Sequence, residues 1–120
     1  MLQQFTIENF LSFKDREVFK LQPGKGSRNK MHKVEPVKGQ WILKSAALFG
    51  PNAGGKSNFV EALELGKRLV LLGTRAETLI EYHPFRLSSE CKNKDTTITY
   101  QILCNNKKYE YGFSYNAERI

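Results

Sequence analysis

The chain has 120 residues, 40% of them hydrophobic, with 19 basic side chains against 12 acidic ones and a formal charge of +7. That length makes one domain, or part of a larger one, with enough apolar residues for a core. No run is long and apolar enough to span a bilayer, the first residues lack the regions of a signal peptide, and Cys91 and Cys104 lack metal-ligand spacing. The charge favours polyanions (nucleotide, nucleic acid or acidic protein), or is simply a solvated basic surface.

Leu2 to Phe10 reads as a strand, with Phe5 and Ile7 alternating against Gln4, Thr6 and Glu8. Residues 9–15 break the pattern as a turn, and Glu17 to Leu21 resumes it, so 1–22 is an expected β-hairpin. Phe10 and Phe13 are expected in the core. Pro23-Gly24-Lys25-Gly26 ends that unit. Residues 23–40 then form a basic loop carrying Lys25, Arg28, Lys30, His32, Lys33 and Lys38. Without aromatic residues it is a weak nucleic-acid signal, because stacking platforms usually accompany single-strand binding. His32 has no metal-ligand company and reads as a surface residue.

Trp41 to Phe49 is a near-continuous apolar run, the pattern of a strand buried on both faces, interrupted only by Lys44 and Ser45. It leads into Gly50-Pro51-Asn52-Ala53-Gly54-Gly55-Lys56-Ser57, and a helix-forming run from Asn58 to Leu72 leads out. The eight residues fit G-x-x-x-x-G-K-[ST], a phosphate-binding loop, and strand, loop and helix are the context that motif needs. A triphosphate loses water on binding, so backbone N–H groups must replace it. Gly50, Gly54 and Gly55 permit the positive-φ conformations and close approach of such a wrap. The helix N-terminus adds free N–H groups and its dipole. Lys56 is placed to reach the β- and γ-phosphates of ATP, and Ser57 to ligate the Mg²⁺ that bridges them. The competing explanation is a chance glycine turn.

The helix carries Phe59, Leu63, Gly66 and Val70 on one stripe and Leu65, Leu69 and Leu72 beside it, so it is expected to be sandwiched. Glu64 and Arg68 stand four apart as an ion pair, and Gly73 is the expected stop. Gly66 implies a close contact whose partner the sequence does not name. Thr74 to Tyr82 is open between helix and loop, and His83-Pro84 ends it. Phe85-Arg86-Leu87 reads as a short strand and Ser88 to Asp95 as a polar loop. Thr96 to Cys104 and Lys107 to Tyr115 alternate around Asn105-Asn106, giving a hairpin in 84–116 with one aromatic face. That face (Ile98, Tyr100, Ile102 with Tyr109, Tyr111, Phe113, Tyr115) is expected to pack on the core, and Cys104 reads as a small core residue. The alternative for the tyrosines is base stacking. Both cysteines are expected to be reduced thiols.

No run of aliphatic residues ending in Asp or Glu follows the loop, so the acidic residue that holds Mg²⁺ and polarises water in a triphosphatase is missing. No catalytic residue is assigned. The expectation is an N-terminal portion, 1–120, of a longer ATPase, with strand, loop and helix in 41–73, which binds nucleotide but hydrolyses little alone.

Ile7-Glu8-Asn9-Phe10-Leu11-Ser12-Phe13, followed by Gly50-x-Asn52-x-x-Gly55-Lys56-Ser57-Asn58, resembles the start of ABC-type ATPases of the SMC, RecF and OLD group. Together with Pro84-Phe85-Arg86-Leu87 and Tyr109-Glu110-Tyr111-Gly112-Phe113, it is similar to bacterial AAA-type ATP-binding proteins linked to abortive infection and anti-phage defence. The resemblance covers nearly all of this chain. It implies an α/β fold: the N-terminal lobe of an ABC- or SMC-head-like P-loop NTPase, an incomplete domain with antiparallel hairpins and one central P-loop helix. It implies that Asn52, Ala53, Gly54, Gly55, Lys56 and Ser57 bind phosphate, that Ser57 binds Mg²⁺, that Asn58 opens the helix, and that Ser12 and Phe13 lie near the nucleotide. Ala53 and Gly54 stand where relatives often have Gly or Ala followed by Ser, and Leu11 replaces a frequent Arg. The family's acidic strand, signature motif and switch histidine have no counterpart here. The resemblance further implies a cytoplasmic, ATP-gated pair of heads, a nuclease or toxin partner, DNA as a candidate partner and no membrane. The alternative is a nucleic-acid-binding module that uses the basic loop and the glycine-rich turn for backbone phosphates.

Overall fold

The computed structural model describes residues 1–25, 29–73 and 81–119. Most of the stretch left open above, 74–80, and part of the basic loop, 26–28, lie outside the described residues. The strands are β1 (Leu2–Glu8), β2 (Glu17–Lys20), β3 (Lys33–Val37), β4 (Gln40–Leu43), β5 (Thr96–Cys104) and β6 (Lys107–Tyr115). One α-helix, α1 (Lys56–Leu72), stands among the described residues, and short 3-10 turns occupy Lys30–His32 and Glu90–Asn93. The result is mixed and sheet-rich. A four-stranded sheet runs β2-β1-β5-β6, antiparallel throughout, and β3 pairs with β4 in a separate hairpin.

Alternation decides the core. Phe5 and Ile7 of β1 lie opposite Tyr100 and Ile98 of β5 and face α1, which buries Ala62, Leu65 and Gly66 against them. Phe59 meets Phe5 edge-on at 5.5 Å and Phe19 at 4.8 Å, so the first turns of α1 are pinned to β1 and β2. Gly66 now has its partner. A Cβ there would stand 2.1 Å from the Tyr100 hydroxyl oxygen. That hydroxyl donates to the Leu63 carbonyl at 3.2 Å, and burial pushes its pKa up to about 12. The β5–β6 hairpin forms as expected. Asn105 and Asn106 take φ of 49° and 62°, the paired left-handed geometry of a type I′ turn. Gly73 ends α1, with its N–H on the Leu69 carbonyl.

Several elements differ from the sequence reading. The apolar run from Trp41 stops being a strand at Leu43, residues 44–50 are irregular, and Phe49 is 91% exposed. A strand buried on both faces needs neighbours on both sides. After the Lys44 amide pairs with His32, no described strand offers residues 45–50 a ladder. The basic loop holds β3, which Pro36 disguised. The register shifts between Val34 and Val37, where the proline has no N–H to give. Phe85 to Leu87 is not a strand, because the Phe85 amide is taken by Asn9 and the next two residues turn.

Helix α1 starts at Lys56, two residues before Asn58. It is covered on one side only: Val60, Leu71 and Leu72 are exposed. Arg68 pairs with Glu81 at 2.5 Å rather than with Glu64, an exposed bridge worth little. The aromatic face of β6 is half covered. Tyr115 is buried, but Tyr111 and Tyr109, on the edge strand opposite Tyr100 and Ile102, are exposed. Both cysteines are free; Cys104, offered above as a core residue, flanks the hairpin turn and is exposed, while Cys91 is buried.

Among the described residues the buried Tyr115 hydroxyl has no hydrogen-bond partner of good geometry, and burial holds its pKa well above the ordinary phenol value, with the Thr96 side chain pulling it partly back. The nearby Thr96 hydroxyl donates instead to the Asn9 carbonyl at 2.6 Å. A buried, unsatisfied hydroxyl costs about 1–3 kcal/mol. Tyr115→Phe should therefore hold stability level or raise it by up to about 1 kcal/mol in urea unfolding. A loss larger than that would show that the hydroxyl has a partner.

Candidate nucleotide site

The turn after β1 builds the floor of the site. Asn9 and Leu11 both take left-handed backbone, with φ of 51° and 48°. Phe10 and Phe13 exchange backbone hydrogen bonds at 2.9 and 2.8 Å, and Leu11 N–H donates to the His83 carbonyl at 2.8 Å. Phe10 is buried completely, as expected. This tight hook turns Ser12 and the Phe13 ring outward to the start of α1. The Ser12 hydroxyl accepts a hydrogen bond from Asn58 Nδ2 at 2.9 Å. A Cβ on Gly55 would stand 3.0 Å from Ser12 Oγ and 3.7 Å from Phe13 Cζ. The hook and the glycine loop are thus in contact across more than forty residues of sequence.

Asn9 locks the hook. Its Nδ2 donates to the carbonyls of Cys91, at 2.9 Å, and Lys94, and its Oδ1 accepts from Phe85 N–H at 3.0 Å. Tyr82 adds its hydroxyl to the carbonyls of Lys92 and Lys94. The sequence reading gave Asn9 no such role. Its one local signal was an asparagine at a strand end, a residue type that tolerates left-handed backbone.

The glycine loop is open. Residues 50–54 are exposed, and so is Ser57. Of the three glycines expected at positive φ, only Gly55 takes it, at 86°; the other left-handed residue is Ala53, at 62°. Gly54 is needed for space instead, since a Cβ there would stand 2.9 Å from the Pro51 carbonyl oxygen, which accepts the Gly54 amide at 3.1 Å. A Cβ on Gly50 would meet nothing within 4 Å.

Gly55 is the N-cap, without a side-chain capping bond, and the first bond of the helix runs from Phe59 N–H to Gly55 C=O. The amides of residues 55–58 therefore precede the helical ladder, as at any helix start. No acidic residue stands in the first turn of the helix to answer the positive end of its dipole. The Lys56 ammonium folds back over the loop and donates to the carbonyls of Gly50 at 2.8 Å and Pro51 at 2.6 Å. A flexible cation, free amides and a hydroxyl thus share one exposed helix start. Chemically this can receive an oxyanion.

For a divalent cation, Ser57 offers one exposed hydroxyl. No cluster of three His, Cys, Asp or Glu side chains suited to a metal occurs among the described residues. One hydroxyl suits an ion that arrives already bound to phosphate oxygens, as Mg²⁺ does with a nucleotide. No helix among the described residues is long and apolar enough to cross a membrane. Comparison with known proteins finds no matching family model, no matching curated protein and no matching solved structure.

Proposed function

We propose that the chain binds Mg²⁺–ATP through Gly50, Asn52–Ser57 and Asn58, as the N-terminal part of an ATPase head. The observation that supports this best is the placement of the Lys56 ammonium over an open loop whose following amides are free for an anion. The carbonyls of Gly50 and Pro51 hold that cation while no phosphate is present. An incoming phosphate takes it over, since a full negative charge outbids two neutral acceptors. The amides of residues 55–58 then face the phosphate oxygens. Ser57 would hold the Mg²⁺, which neutralises the β- and γ-phosphates. Asn58 and Ser12 brace the first helical turn.

In this reading hydrolysis awaits an acidic residue supplied from outside these 120 residues, and a second head completes the site. The setting would be cytoplasmic, with anti-phage defence or DNA maintenance as the role and a nuclease or toxin as partner. The test is a titration with a fluorescent ATP analogue and Mg²⁺. Lys56→Ala should weaken binding at least ~10-fold, about 1.4 kcal/mol. Equal affinity for the two proteins would end the reading.

A further inference from the structure

Strand β6 (Lys107–Tyr115) closes one side of the four-stranded sheet, and among the described residues no strand lies beyond it. Its inner edge is fully paired. Asn105 and Asn106 form a two-residue turn, so Cys104 and Lys107 face each other, and the register runs unbroken to Thr96 and Tyr115. Residues flanking such a turn exchange hydrogen bonds, and the pattern then alternates along the strands. Leu103 fits that alternation, since its N–H donates the other way, to the Met1 carbonyl at 2.7 Å. The odd-numbered residues of β6 therefore bond to β5, while Lys108, Glu110, Gly112 and Ser114 turn their amides and carbonyls outward. These four are all exposed. Two devices that commonly protect an edge, a proline and a bulge, are missing from it.

We propose that β6 pairs antiparallel with β6 of a second copy of this chain, about a two-fold axis beside Tyr111. The strand itself selects that occupant. A two-fold axis normal to the sheet joins like faces, and outward residues then meet outward residues. Tyr111 is the midpoint of the nine residues, so pairing about it uses the whole strand. Lys108 then meets the partner's Ser114, and Glu110 meets the partner's Gly112. No charge opposes its like, and the glycine leaves room for the carboxylate. On the other face Tyr111 meets the partner's Tyr111, and Tyr109 meets the partner's Phe113. The rings already stand in a row along the strand, Tyr111 and Phe113 being 6.1 Å apart, and Tyr109 and Tyr111 are each 51% exposed. Aromatic pairs across strands stabilise a sheet. Sliding one step toward the turn sets Glu110 against the partner's Glu110. Sliding the other way leaves Lys107 and Lys108 beyond the partner strand. Strand β2, at the other edge, has four residues, would cover less than half of β6, and would join copies head to tail without closing. The contact uses neither the glycine loop nor nucleotide.

The test uses the whole chain without nucleotide, at physiological salt, which screens the formal charge of +7 on each copy. Sedimentation over a concentration series should show a monomer–dimer equilibrium and no larger species. As the dimer fills, hydrogen exchange should slow at the amides of Lys108, Glu110, Gly112 and Ser114. The amides of Tyr109, Tyr111 and Phe113 should be protected at every concentration. Tyr111→Lys brings two ammonium groups together at the axis and should weaken dimerisation at least ~10-fold, and Tyr111→Glu should do the same with two carboxylates. Mixing these two variants should restore a dimer, because residue 111 faces itself only about this axis. Circular dichroism checks that each variant keeps its sheet. Glu110→Pro, whose lost N–H points outward, is a second disruption that spares the β5 pairing. A wild type that stays monomeric would overturn the proposal. So would a dimer unmoved by both Tyr111→Lys and Glu110→Pro, open-ended growth to larger species, or concentration-dependent protection elsewhere instead of at the four outward amides.

Discussion

Asn9→Ala should destabilise the protein by roughly 3–5 kcal/mol, on the sum of a buried hydrogen-bond loss and a left-handed alanine. The substitution removes the donor that holds the Cys91 and Lys94 carbonyls and the acceptor that holds the Phe85 amide. Asn9 is fully buried, so water cannot replace those partners. Alanine at φ 51° adds a steric cost that asparagine bears more easily. Two further variants divide the effect. Asn9→Gly loses the same hydrogen bonds but not the backbone freedom, and should be milder than Asn9→Ala by about 1 kcal/mol. Asn9→Asp keeps an acceptor for Phe85 but turns a second oxygen toward two carbonyls, and should be as harmful as alanine or worse. Urea unfolding gives the values. A cost under ~1 kcal/mol for alanine would mean that the network does not hold the hook in solution.

Gly66→Ala should destabilise by about 2 kcal/mol although alanine is the better helix former. Propensity favours the change by about 1 kcal/mol, but the new methyl lands 2.1 Å from the Tyr100 hydroxyl oxygen and 3.2 Å from Ile98 Cγ2. Tyr100 must move, giving up its bond to Leu63 and its tilted contact with Phe5 at 5.1 Å. Tyr100→Phe alone loses one hydrogen bond, worth about 0.5–1.5 kcal/mol. The double variant removes the worst overlap. It should therefore be more stable than Gly66→Ala by at least ~1 kcal/mol, a favourable coupling between the two sites. Simple additivity in the double-mutant cycle would refute this packing.

Elements set by short-range pattern were legible in the sequence. The β5–β6 hairpin needs only strict alternation and two asparagines, and α1 needs only its apolar stripes and two flanking glycines. The candidate site stood out as a motif: Gly50, Lys56 and Ser57 fit a phosphate-binding pattern by type and spacing. What sequence could not give were the contacts that close over distance. Asn9 is defined by carbonyls more than eighty positions away, and the Ser12–Asn58 bond spans forty-six. Resemblance alone suggested that Ser12 and Phe13 belong beside the loop. The run from Ser45 to Phe49 misled because hydrophobicity specifies burial only where a neighbour exists to bury against. Pro36 hid β3 because a proline demotes a strand without forbidding it at a shifted register.

The first strand lies second in the sheet, between β2 and β5, with Ile7 opposite Ile98. On the ribosome, β1 and β2 emerge early and can zip together, but their other edge stays bare until the chain has grown past residue 98. Closing a loop of that size makes β1–β5 pairing the slow event and gives the nascent hairpin time to capture a strand from a neighbouring polypeptide. Chaperone shielding of the nascent hairpin, or a low expression rate, should accordingly raise the yield of folded protein over aggregate.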